Sequence, residues 1–191
     1  MDKKIIVLIG ASGSGKTTLG SYLKELGIPE IVSHTTRNKR EGEIEGVTYY
    51  YVSKKEFDML EKIEETYYAG NYYCISKMEI ENKLKNNDFV FVISDINGLK
   101  QLEKYYPTNI VSIYVYTSPY KMIERMKKRG DSKESILKRV DNMIKNNELY
   151  NFEYADYVIY NDSLENAIKQ LNKIIFYDLD YKKYISKCSA V

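Results

Sequence analysis

The eight residues Gly10-Ala-Ser-Gly-Ser-Gly-Lys-Thr17 constrain this chain more than any other feature. They fit the pattern G-x-x-x-x-G-K-[ST], and they lie between a strand-like and a helix-like stretch, the setting that pattern requires. Residues 3–9, KKIIVLI, read as a β-branched strand buried on both faces of a parallel sheet and ending at Gly10. From Thr17 the apolar positions Leu19, Leu23 and Leu26 recur at helical spacing until Gly27, with Pro29 two residues on. Such a loop cradles a nucleoside triphosphate: glycines let backbone N–H groups turn inward around phosphates, and the helix N-terminus adds about half a positive charge there. The expected triphosphate contacts are Gly10, Ala11, Ser12, Gly13, Ser14, Gly15, Lys16, Thr17 and Thr18. Lys16 is expected to bridge the β- and γ-phosphates, and the Thr17 hydroxyl to ligate Mg²⁺. A glycine turn that only packed a helix on a sheet would not need Lys16 and Thr17 in register.

The rest of the chain continues an alternation of strand and helix. Phe89 to Ile93 and Ile110 to Tyr116 have strand character, and Gly98 to Tyr106 can hold a short helix before Pro107. Tyr157 to Tyr160 reads as a last strand. Asn161-Asp162-Ser163 then reads as a cap for a helix carrying Leu164, Ala167, Ile168, Leu171 and Ile175. This predicts an α/β fold, three layers α/β/α with a parallel core sheet. Two segments richer in charge and glycine interrupt it. Residues 33–87, with Gly42, Gly46 and Gly70, read as a small mixed α/β insertion closed by a helix from Lys77 to Lys85. Residues 119–147 read as two amphipathic helices meeting near Gly130, with Asp131 and Glu134 as a capping-box-like start. The expected division is a core of 1–32, 88–118 and 148–191, an insertion of 33–87, and a lid of 119–147; the end of the chain from Asp178 is expected to fray.

Composition removes several function classes. With 29 Lys and Arg against 27 Asp and Glu, the surface as a whole is no trap for nucleic acid. The 20 tyrosines are scattered through every segment and mark no stacking platform for single strands. Cys74 and Cys188 have no metal-ligand spacing and His34 is the only histidine, so no zinc site is expected. The apolar run before Gly10 is too short for a signal or membrane segment, so a cytoplasmic protein with reduced thiols is expected. An N-K-x-D string of the kind a GTPase uses to read its base is missing, since the nearest strings, Asn82-Lys-Leu-Lys85 and Asn172-Lys-Ile-Ile175, lack the aspartate.

The acceptor must then be sought in the insertions. Ser33-His-Thr-Thr-Arg37-Asn-Lys-Arg40-Glu-Gly42-Glu43-Ile-Glu-Gly46-Val-Thr-Tyr49 places two arginines three apart, before a glycine turn and a tyrosine. Planar, always-charged guanidinium forks of this kind suit a phosphate group. Here the chain resembles the guanylate kinases, whose corresponding region reads S-x-T-T-R-x-x-R-x-G-E-x-x-G-x-x-Y. Gly70-Asn-Tyr-Tyr73 resembles that family's G-N-x-Y segment, Asp95-Ile-Asn-Gly98 its D-x-Q-G turn, and Arg129-Gly130 with Arg139 its lid. The likeness runs from about Ile5 to Ile175. It implies that Arg37, Arg40, Tyr49 and Tyr73 hold the phosphate of GMP, and that Ser33, Glu64 and Asp95 read guanine, with Glu65 as the neighbouring candidate for the Glu64 role. Carboxylates fit guanine because its N1–H and N2–H₂ are donors, whereas adenine offers a bare N1 lone pair.

The implied reaction is transfer of the γ-phosphoryl of ATP to GMP, with Mg²⁺, and with dGMP as a possible further acceptor. Lys16, Arg37, Arg129 and Arg139 are the implied catalytic residues, Arg125 is a reserve for the lid, and the implied partners are the nucleotides ATP and GMP, with no nucleic acid and no membrane. Such a transfer needs no general base, because the acceptor phosphate is already ionised. Two departures from the family pattern stand out. Cys74-Ile75-Ser76 replaces a hydroxyl-bearing segment that contacts guanine, with Ser76 a candidate substitute, and Ile93 stands where a D-x-D pattern has its first aspartate. Ile75 keeps open a kinase for another phosphorylated acceptor such as a ribose bisphosphate, against which Glu64 and Asp95 argue, whereas Ile93 leaves Mg²⁺ more dependent on Thr17, Glu43 or Asp95; a noncatalytic interaction module of the same fold would be expected to have a degraded phosphate loop. Asn161 is a candidate for reading adenine.

Overall fold

The computed structural model describes residues 3–68, 70–179 and 181 of the 191. In chain order the elements are β1 (Lys4–Ile9), α1 (Lys16–Glu25), β2 (His34–Thr35), β3 (Tyr50–Tyr51), α2 (Lys54–Met59), β4 (Lys62–Tyr68), β5 (Asn71–Ser76) and α3 (Lys77–Asn86). They continue with β6 (Phe89–Ile93), α4 (Ile96–Tyr105), β7 (Ile110–Tyr116), α5 (Pro119–Lys128), α6 (Lys133–Lys145), a 3₁₀ segment Glu148–Tyr154, β8 (Tyr157–Tyr160), α7 (Leu164–Lys173) and a π-turn Ile174–Asp178. The core sheet is parallel, in the order β6-β1-β7-β8. A second, mixed sheet has the order β3-β2-β5-β4: β2 pairs parallel with β3 and antiparallel with β5, and β4 and β5 form an antiparallel hairpin. The fold is α/β, as the alternation of strand and helix predicts. The expected fraying beyond Asp178 falls largely outside the described residues, as does Cys188.

The chain groups into two compact units, one of residues up to 7 with 23–110, the other of residues 8–22 with those from 111 on. In the first, the mixed sheet forms because its short strands meet partners far along the chain, His34 facing Cys74 and Thr35 facing Tyr73. Its helices start on side chains that satisfy their first N–H groups. Ser53 and Glu56 form a reciprocal capping box on α2, Ser76 accepts from the Glu79 N–H at α3, and Asp95 accepts from the N–H groups of Asn97 and Gly98 at α4. His34 is buried, stacks on Tyr50 at 4.7 Å between ring centroids, and is held neutral because burial lowers its pKa.

In the second unit the central strand β7 is buried over Val111–Val115, and the Tyr114 hydroxyl donates to the Glu148 carbonyl at 2.7 Å. Helices α5 and α6 pack Met122, Met126, Ile136 and Met143 into one apolar seam with Ala11. The start of α6 differs from expectation. Ser132 caps it, accepting from the Ser135 N–H, while the Asp131 carboxylate turns to Arg129, because the serine hydroxyl lies one residue closer to the helix. On α7, by contrast, Ser163 makes no side-chain cap bond, and its neighbour Asp162 is drawn away to accept from the Ser118 N–H and hydroxyl.

Candidate active site

The phosphate loop leaves the C-terminal end of β1, where α/β sheets carry their ligands. Its shape is fixed by what it cannot accommodate. Gly15 has φ +99°, and a Cβ there would meet the Asn161 side-chain nitrogen at 2.2 Å. The Ser14 carbonyl is held by three donors, Asn161 Nδ2 at 2.7 Å, Thr117 Oγ1 at 2.9 Å and an Arg125 Nη at 3.2 Å. These three donors hold the Ser14 carbonyl in one orientation, while the Ser14 N–H donates to the Ala11 carbonyl at 3.1 Å; a glycine loop fixed at a helix N-terminus is the kind of backbone that cradles phosphate. Lys16 Nζ lies across the loop, donating to the carbonyls of Gly10 at 2.6 Å and Ala11 at 3.1 Å. Asn161, 2 % exposed, is bonded to the loop through its Nδ2, which braces the Ser14 carbonyl, while its Oδ1 is buried with no partner among the described residues. Arg125 is a brace too: its guanidinium also donates to Thr117 Oγ1 and, at 2.6 Å, to the Asn161 carbonyl. The expected lid arginines differ in placement. Arg139 donates to the Ser12 hydroxyl of the loop at 2.6 Å, whereas Arg129 grips Asp131.

In the other unit, Ser33, Arg37, Arg40, Tyr49, Glu64, Tyr73 and Asp95 all line one cavity of about 410 Å³. Arg37 is the best-anchored of them. Its guanidinium donates to Glu43 at 2.6 Å and lies 5.5 Å from the Tyr49 and 5.8 Å from the Tyr51 ring centroid, the range of cation–π contact. Glu43 is fixed in turn by the Arg40 N–H at 2.8 Å and the Tyr51 hydroxyl at 2.7 Å. The Arg37 guanidinium, with those two donors, brings the Glu43 carboxyl down to about 2. Tyr49 and Tyr73 meet edge-on at 5.7 Å. Arg40 is exposed, and no partner among the described residues holds its guanidinium.

The carboxylate part of the cavity is built by β4, β5 and the start of α4. Alternation along β4 turns Glu64 inward, 8 % exposed, and leaves Glu65 exposed with its N–H on Gln101; of the two glutamates, Glu64 lines the cavity. Burial pushes its carboxyl up to about 7; a bond from the Thr66 hydroxyl at 3.0 Å opposes this and the charge of Asp95 adds to it. Gly98 permits the approach of α4, since a Cβ there would lie 2.0 Å from Ser94 Oγ and 3.3 Å from Glu64 Cγ. The same alternation along β5 settles the Cys74-Ile75-Ser76 segment. Ile75 lines the cavity with Tyr73, while Cys74 is a buried free thiol and Ser76 caps α3, so Ser76 does not replace the missing hydroxyl. Thr66, Tyr68 and Ser94 also line the cavity, and the sequence reading passed over them; period-two spacing from Glu64 along β4 is the signal that finds Thr66 and Tyr68.

A divalent cation is tested by its donor set. Among the described residues no group of three His, Cys, Asp or Glu side chains could hold one. Mg²⁺ does not need such a cage, because it keeps several waters and is held by substrate phosphates with one or two protein oxygens. Thr17, exposed on the first turn of α1, offers such an oxygen, so the residues present fit the ion.

The guanylate kinase family profile matches residues 2–178. The chain belongs to the guanylate kinase family. A guanylate kinase of Helicobacter pylori is 37 % identical, over 99 % of this chain and 96 % of its own. One from Carboxydothermus hydrogenoformans is 33 % identical over 90 % and 86 %. Among solved structures, guanylate kinase from Anaplasma phagocytophilum superposes with a TM-score of 0.65 at 26 % identity, covering 92 % of this chain and 86 % of its own. Among the described residues of this guanylate kinase family member no helix is long and apolar enough to cross a membrane.

Proposed function

We propose that the protein transfers the γ-phosphoryl group of ATP to GMP, giving ADP and GDP. The observation that carries this reading is the single cavity in which Arg37 and Arg40 join the carboxylates Glu64 and Asp95. Guanidinium forks suit the acceptor's phosphate, and carboxylates suit the donor edge of guanine. Arg37 arrives pre-aligned by Glu43, Tyr49 and Tyr51, so little of its rotamer freedom remains to be lost on binding. Glu64 and Asp95 read guanine, with Ser33 and the Thr66-held geometry beside them.

Lys16 serves the β- and γ-phosphates and Arg139 stands at the loop beside Ser12, so positive charge is placed where the loose transition state spreads negative charge. Thr17 would hold Mg²⁺, which when bound neutralises phosphate charge. Family membership and the buried free thiol of Cys74 fit a cytoplasmic enzyme of nucleotide metabolism.

Ile75 and Ile93 in the cavity wall favour one second reading, a phosphorylated acceptor without guanine. An assay of ADP release with GMP, AMP, UMP and ribose phosphates offered separately tests both. Dependence on GMP is the expected result; turnover with a ribose phosphate replaces the acceptor, and silence with all of them indicates a noncatalytic module. Lys16→Ala in the same assay is expected to lower turnover by at least about 10²-fold, the scale of losing one preorganised donor to a developing charge.

A further inference from the structure

Arg129 closes the end of α5 and Arg139 lies in the middle of α6, yet one carboxylate is within ion-pair reach of both. The Arg129 Nε lies 3.0 Å from each oxygen of Asp131, and an Nη lies 2.5 Å from Oδ2. The same Oδ2 is 3.9 Å from the Nε of Arg139, whose Nη1 donates to Ser12 of the phosphate loop at 2.6 Å. Asp131 has no helix-capping duty to explain its position, because Ser132 caps α6. Its side chain is only 18 % exposed although the adjoining Gly130 and Ser132 lie at the surface.

We propose that Asp131 is a positioning residue whose carboxylate stands in for a phosphoryl group, holding Arg129 beside Arg139 at the phosphate loop and keeping one N–H of that guanidinium when ATP takes the others. The inference rests on the reading of the loop as an ATP site. The chemistry is an exchange of like for like. A carboxylate offers a guanidinium the same pair of acceptor oxygens in a plane that a phosphate does. An arginine beside a glycine at φ +86° would otherwise have to be ordered from many rotamers at the moment of binding. Asp131 orders it beforehand, and it also competes with the nucleotide for the same N–H donors. It therefore weakens ground-state binding of ATP while favouring the aligned state in which transfer occurs.

The test compares wild type, Asp131→Asn and Asp131→Glu, each with Arg129 present and with Arg129→Gln. Two quantities are read: the dissociation constant of ATP by equilibrium titration without GMP, and kcat with GMP. Asp131→Asn keeps shape and removes charge. It is expected to tighten ATP about threefold to fivefold, the scale of a partly exposed ion pair, and to lower kcat about tenfold through lost alignment. Asp131→Glu is expected to lie between wild type and Asp131→Asn in both. In the Arg129→Gln background the effect of Asp131→Asn on ATP affinity is expected to fall below about twofold, because the carboxylate acts through that arginine. A merely structural residue would loosen ATP and lower kcat alike, whatever stood at 129. The proposal is overturned if Asp131→Asn weakens ATP or leaves it unchanged, if Asp131→Glu behaves like Asp131→Asn, or if the shift is as large without Arg129 as with it. Because the titration omits GMP, failure of the wild type to phosphorylate GMP would sink the acceptor assignment and leave this result standing on its own.

Discussion

Arg37 and Arg40 carry the same charge three residues apart, but their surroundings give them different tasks. Arg37 is locked to Glu43 and two tyrosine rings, so removing it would strand a carboxylate whose other bonds remain. Arg40 is exposed, with only its backbone engaged, and can be removed without disturbing a neighbour. Arg40→Ala is therefore expected to raise KM for GMP about tenfold to a hundredfold, the worth of a charge-assisted bond, with a smaller change in kcat; unaltered GMP saturation would misplace the phosphate. Glu64 sets a pH dependence. Its folded pKa, about 7, lies above the value of 4.5 for a free carboxyl, so between those values the native state holds the proton more than the unfolded state does. Stability should fall as pH rises through that window, while GMP affinity should rise because guanine's donors need the ionised form. Glu64→Gln is expected to flatten the stability curve and weaken GMP at pH 8. Comparison with wild type cancels the titration of the nucleotide phosphate itself, near pH 6.

At the scale of elements, what the sequence showed depended on how local the structural cause was. Strands β1, β6 and β7 were legible because they are continuous apolar runs buried in the core sheet. Helices α5 and α6 were legible from their apolar stripes. Strands β2 and β3 have two residues each and exist only through pairing with each other and of β2 with Tyr73 and Cys74, about forty positions away, so no local period announces them. The caps failed for a related reason. Asp131 and Asp162 are plausible caps by spacing, but each finds a stronger donor elsewhere, Arg129 for one and Ser118 for the other. The motifs named Ser33, Arg37, Arg40, Tyr49, Glu64, Tyr73 and Asp95 without knowing that one cavity collects them; the choice between Glu64 and Glu65 needed the strand's facing. The facing of β5 also yields a prediction. Ile75 is 1 % exposed and lines the cavity, so Ile75→Thr is expected to lower KM for GMP twofold to tenfold, about one neutral hydrogen bond, at a stability cost of about 1 kcal/mol. An unchanged or higher KM would remove Ile75 from the base-reading wall.

For the whole molecule, the division into two units means that each nucleotide should leave its own mark. GMP is expected to slow amide hydrogen exchange in residues 33–37 and 64–76, and ATP in residues 10–17, because binding raises the free energy of the local openings that expose those amides. At about a hundred times its dissociation constant, GMP should add about 2.7 kcal/mol and raise Tm by roughly 5–10 °C for a chain of this size. Such protection establishes binding, and the reaction itself is read most directly by phosphorus NMR of the wild-type protein with ATP, Mg²⁺ and GMP. The expected spectrum shows ADP and GDP growing together in equal amounts with no orthophosphate. Orthophosphate matching the ADP formed, or ATP consumed with GMP left intact, would contradict phosphoryl transfer to GMP.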